Sequence, residues 1–154
     1  MFLSFFSSSK TSTMKKGQTI PMAIVNDHAA GIDVGSRIHY VAVGQEASDV
    51  STFKVYTKDH SQLIQYLKQK EITTVAMEST GTYWQTLYSS LQSAGFEIIL
   101  SNNYIKDPQR KTDAKDARWL QRLHTLGLLK AAFIPSEDIG RIRTYYRHRA
   151  SIIA

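Results

Sequence analysis

Residues 29–44, AAGIDVGSRIHYVAVG, decide the fold. Two β-rich runs, 29–35 and 38–44, are separated only by Ser36 and Arg37, so the chain turns straight back on itself. A third run of the same character, 50–56, follows the polar stretch QEASD, and the three together predict an antiparallel meander. Within the first run Asp33 interrupts apolar residues, and alternation places Ile32 and Val34 on the opposite face from it. A carboxylate on a central strand is costly unless it meets a cation or strong donors. The plainer alternative is an aspartate that caps a turn with Gly35 and Ser36.

Toward the C-terminus, 59–70 carries Leu63, Ile64 and Leu67 at helical spacing, and ITTVAM at 72–77 reads as a short buried strand. Residues 82–94 repeat apolar positions at Tyr83, Leu87 and Leu91, Gly95 closes that helix, and 96–100 resumes strand character. After a loop at 101–111 we expect a helix over 112–129, an extended AAFIP at 131–135, and a last helix from 136 to the end. That helix carries an apolar stripe, Ile139, Ile142, Tyr146, Ala150 and Ile153, with no obvious partner. The order β-β-β-α-β-α-β-α describes an α/β fold: a mixed sheet of three antiparallel strands and two crossover strands, helices on both faces, and a helical extension. It coincides with the RNase H-like arrangement.

Three further acids stand where such a sheet places its ligands. Glu78 follows the buried strand at its carboxyl end, the edge at which open α/β sheets bind. Asp113 and Asp116 are three apart at the start of a helix, whose dipole favours them, and acids are common there without function. At 100° per residue Asp113, Asp116, Ala117, Leu120, His124 and Gly127 share one side, and Lys111, Lys115, Arg118 and Arg122 lie on the other. An acid pair on the side directed at the protein interior is hard to explain as solubilising charge. Four carboxylates in one cleft repel one another unless cations neutralise them, and with no cysteine in the chain the hard oxygen donors point to Mg2+, with Mn2+ possible in its place. Two such ions would serve phosphoryl transfer.

Composition bounds the rest. The 154 residues suffice for one domain with a real core, and 42% hydrophobic with 21% charged residues is an ordinary globular balance. No stretch approaches the ~18 apolar residues of a membrane span. The absence of cysteine excludes disulfide scaffolds and thiolate zinc, and fits a reducing, cytoplasmic setting. Residues 1–99 hold eight Lys/Arg against eight Asp/Glu, whereas 100–154 hold eleven against five, so the last third carries the whole excess of the +6 net charge. A basic segment beside a neutral body suits a polyanionic partner. Residues 1–22, rich in Ser, Thr and Lys, read as a flexible leader without a secretory pattern.

GIDVGS at 31–36, MESTGTYW at 77–84 and KTDAKDA at 111–117 resemble the DEDD insertion-sequence transposases with a RuvC-like domain, the "one-ten" family that includes bridge-RNA-guided recombinases. The resemblance implies DNA transposition with Asp33, Glu78, Asp113 and Asp116 as magnesium-binding catalytic acids, and DNA with a guide RNA as partners. It also implies a second, serine-bearing domain that nothing here matches. We therefore expect a catalytic domain at 23–130 and, at 131–154, the start of a helical connector that ends before that second domain and supports homo-oligomers in the full-length protein. Thr80, Gly81 and Thr82 are helix-capping residues or a phosphate cradle. Tyr83 is expected in the core. Trp84, Lys111, Lys115, Arg118, Arg122, Arg141, Arg143 and Arg147 are nucleic-acid candidates against an ordinary solvated surface, and His39, His60, His124 and His148 are read as structural or surface residues. Three alternatives stay open: a Holliday-junction nuclease, a sugar-kinase or actin-like ATPase that shares GIDVGS but lacks here a second glycine-rich loop, and a non-catalytic nucleic-acid-binding fragment.

Overall fold

The computed structural model describes residues 22–79, 81–102, 112–134 and 137–153. Thr80, Lys111, Ser136 and nearly all of the expected leader lie outside them.

The meander forms as its alternation requires. Strands β1 (Ala29–Val34), β2 (Ile38–Ala42) and β3 (Val50–Lys54) pair antiparallel, with Ile32 opposite Val41 and Tyr40 opposite Thr52. A single 3-10 turn, Ala47–Asp49, fills the second connection. Helix α1 (Thr57–Gln69) crosses to β4 (Thr74–Glu78), and α2 (Trp84–Ser93) crosses to β5 (Glu97–Ser101), each new strand running parallel to its neighbour. The sheet order is β3-β2-β1-β4-β5, so the strand bearing Asp33 is central and the two connection styles meet at it. This mixed five-stranded sheet with its helices is the RNase H-like architecture.

The two faces of the sheet are filled differently. Ile32, Val41, Val75, Met77 and Leu100 point toward α1 and α2 and close a core with Leu63, Leu67, Leu87 and Leu91. Each fully buried side chain of this kind contributes about 1.5–3 kcal/mol. The other face, small at Ala29, Gly31 and Ala76, receives α3 (Asp113–Thr125).

Several boundaries differ from the sequence expectation. Strand β4 begins two residues later than 72, and Glu78 is its last residue rather than the first of a loop. Helix α3 ends at Thr125 rather than 129, because Gly127 takes a left-handed φ of 67° and Leu128 N–H returns to Leu123 O at 2.9 Å. Gly95, with φ of 91°, ends α2 as its position predicts. Tyr83 is 53% exposed, not packed in the core, because α2 begins only at Trp84 and Tyr83 stands at its N-cap. Helix α4 (Glu137–Ile153) is exposed from Arg141 to Ile153, including the apolar stripe.

Candidate metal centre and basic groove

The site starts from a glycine. A Cβ at Gly31 would fall on the backbone nitrogen of Gln121 and the carbonyl oxygen of Ala117, so only a residue without one lets α3 lie this close on β1. The contact is then locked by polar groups. Gln121 Nε2 donates to Ala29 O at 3.1 Å, and the Thr74 hydroxyl lies 2.8 Å from His124 Nε2. Asn26 Nδ2 donates to His124 O at 2.7 Å, tying the segment before β1 to the far end of the helix. Held in this way, α3 brings its first turn to the carboxyl end of β1.

Asp33, two residues beyond Gly31 on the same face, meets Asp113 and Asp116 there. Each of the three offers a carboxylate oxygen, and these oxygens lie within 4.8 Å of one another. Asp33 and Asp116 are half-buried and Asp113 is exposed. Two unit charges ~4 Å apart repel by about 4 kcal/mol at an effective dielectric of 20. The α3 dipole returns only ~0.3–1 kcal/mol per acid. A cluster of this kind is a candidate cation site. The all-oxygen donor set suits a hard divalent cation such as Mg2+ or Mn2+.

Glu78 is not a member of this triad. Ile32 pairs with Met77, so Asp33 and Glu78 are the next residues along two neighbouring parallel strands and share the face that α3 covers. One strand further, Ser101 pairs with Glu78. Its hydroxyl is buried and has no hydrogen-bond partner among the described residues. Asp33, Glu78 and Ser101 thus form a row across the carboxyl ends of three adjacent strands.

The basic candidates separate into two groups. On α3, Lys115 and Arg122 are exposed. Arg118 is half-buried and donates from Nη1 to Gln45 O at 3.2 Å, while Gln45 Nε2 donates to Arg118 O at 3.0 Å and bonds the Gln121 side chain. Arg118 therefore helps to fasten the loop after β2 to α3. Arg141, Arg143 and Arg147 of α4 line, together with Trp84, a groove of about 1180 Å³ that also takes in Ser79, Gly81 and Thr82. Lys111 lies outside the described residues. Sequence reasoning missed Gln121 and Gly31. The first had a readable signal, since it is four residues after Ala117 on the buried stripe. A close approach at the second shows only in three dimensions.

His39, His60 and His124 are buried and structural, whereas His28 and His148 are exposed. His39 is 1% exposed, and burial with the neighbouring His60 ring pushes its pKa down to about 4. His60 lies 3.0 Å from the Ser90 hydroxyl and, like His124, is lowered chiefly by burial.

The sheet order and the acids at its central carboxyl edge define an RNase H-like domain. Residues 30–154 match the family described as DEDD_Tnp_IS110: Transposase, and the chain belongs to that transposase family. No curated protein matches it. No helix among the described residues is long and apolar enough to cross a membrane.

Proposed function

We propose that this domain performs Mg2+-dependent DNA strand cleavage and transfer in transposition, with Mn2+ able to replace Mg2+. The observation that carries this reading is the convergence of Asp33, Asp113 and Asp116 within 4.8 Å from positions eighty residues apart in sequence. Bound divalent metal at such acids activates an attacking oxygen and stabilises a leaving one. The work of the chain itself is to hold the acids. Asp33, Asp113 and Asp116 are the metal ligands, and Glu78, one strand away on the same face, completes the catalytic set by orienting the attacked phosphodiester or a shared ion. Half-burial of Asp33 and Asp116 limits water at the reacting phosphate.

DNA, with a guide RNA, is held by the basic surfaces: Lys111, Lys115, Arg118 and Arg122 around α3, and Arg141, Arg143 and Arg147 with Trp84 at α4. Residues 23–130 form the catalytic domain, and 131–154 begin a helical connector through which copies associate. The local excess of Lys and Arg after residue 100 supports the assignment of the basic surfaces to nucleic acid.

The direct test needs no partner protein. Mn2+ titrated into the 154-residue chain and followed by paramagnetic resonance is expected to bind with micromolar to millimolar affinity, and Asp33→Asn or Asp116→Asn to abolish binding. In a protein that also carries the serine-bearing domain, the same substitutions should abolish recombination. Full recombination with either acid neutralised refutes the assignment.

A further inference from the structure

The groove between α2 and α4 has a chemistry distinct from that of the acid cluster. Three arginines, Arg141, Arg143 and Arg147, line it, and the described lining residues include no Asp or Glu. Arg143 and Arg147 are four apart on α4 and so project on the same side, one turn from each other. The groove is also aromatic. Phe133 and Tyr145 line it while remaining 79% and 78% exposed, so their rings are accessible to a ligand. Trp84 is pinned: its Nε1 donates to Gly81 O at 3.1 Å, and its ring meets Tyr88 edge-on at 5.9 Å. An indole fixed in this way loses little freedom when a second ring stacks on it. At about 1180 Å³ the groove exceeds the ~300–1,000 Å³ of small-molecule pockets, which fits a polymer segment better than a metabolite.

We propose that this groove binds a single-stranded stretch of nucleic acid, its bases on Trp84, Phe133 and Tyr145 and its phosphates on Arg143 and Arg147. The proposal rests on the reading of the chain as a nucleic-acid recombinase and assigns one strand state to one place. Aromatic rings reach only unstacked bases, because a duplex hides base faces and offers just its backbone. Cations interleaved with rings make the combination found in grooves that track a single strand.

The test uses the full 154-residue chain in EDTA, so that no metal bridges the acids and the outcome is independent of the catalytic reading. Labelled oligo-dT, oligo-U and a DNA duplex of equal length are titrated by anisotropy, with intrinsic tryptophan fluorescence followed in parallel. Single strands are expected to bind at least tenfold tighter than the duplex and to quench tryptophan emission in the wild type but not in Trp84→Leu, which keeps Trp119, and the ratio of oligo-U to oligo-dT identifies which polymer the groove prefers. Trp84→Leu should weaken single-strand binding by roughly 5- to 100-fold, the range for one stacked base. Replacing both Arg143 and Arg147 by Ala should lower the slope of log K against log salt by about 1.4, since each phosphate contact to a single strand adds ~0.7. The double Lys variant should keep the slope, which separates loss of charge from loss of fold. Equal or tighter duplex binding, an unchanged slope in the double Ala variant, or unaltered affinity in Trp84→Leu overturns the proposal.

Discussion

Asp33 is the residue on which the proposed chemistry turns, because it is a carboxylate on the central strand and two further aspartates converge on it. A ligand that binds only the folded state stabilises it by about 2.7 kcal/mol at a hundred times its Kd. For a domain of this size that is roughly 5–10 °C in Tm. Saturating Mg2+ or Mn2+ should therefore raise the melting temperature of the chain by several degrees in scanning calorimetry. Asp33→Asn should remove the shift. Glu78→Gln is expected to behave differently, since Glu78 stands outside the three-acid triad. It should retain most of the metal-induced shift while losing recombination in the two-domain protein. A Glu78 variant that loses the shift as completely as Asp33→Asn would place Glu78 among the primary ligands. That these four acids are candidates was legible in the sequence. Their grouping into three plus one was not, because it depends on how far α3 reaches over the sheet edge.

At the scale of elements, the decisive contact is α3 on β1. Gly31→Ala forces the helix backbone away, an overpacking that costs about 1–3 kcal/mol. It should also blunt the metal-induced stabilisation, since Asp113 and Asp116 ride on the displaced helix. Urea denaturation with and without Mg2+ checks both effects, and an unchanged metal response would show that α3 is placed by something other than this contact. Thr74→Val removes the hydroxyl partner of buried His124 and should cost ~1–3 kcal/mol by the same measurement. The periodicity of 112–129 was enough to name the buried side of α3, and Ala117, Leu120 and His124 lie on it. It placed Gln121 at the edge of that side but did not reveal that it is buried, since a glutamine is buried only when a partner such as Ala29 O awaits it. Nor did it reveal that Arg118, on the basic side, is engaged with Gln45.

For the whole molecule, stability is coupled to pH through histidines buried in neutral form. His39 has a folded pKa of about 4 against 6.5. Between those values the unfolded chain binds a proton that the folded one does not. The stabilisation is thus intact above about pH 6.5 and is lost as pH falls toward 4, by roughly 3 kcal/mol for His39 alone. His60 and His124, lowered in the same direction, add to the slope. The urea midpoint should fall steadily from pH 7 to 5, and His39→Leu should flatten that decline. A decline of equal steepness in the variant would assign the effect to other groups. The global topology was accessible early, because three closely spaced strands followed by two strand-helix units leave few unknotted right-handed arrangements.

Local chemistry, written in the order of residues, determined the element types, their order along the chain and the four acids that resemble the transposase motifs. Alternation and helical period act over neighbouring residues, so they survive in a one-dimensional text. What only the tertiary structure decided was distance: the close seat of α3 allowed by Gly31, the separation of Glu78 from the aspartate triad, and the facing of Trp84 by the arginines of α4. Those depend on contacts between residues far apart in the chain, whose strength is set by shape and by partners that no local pattern encodes.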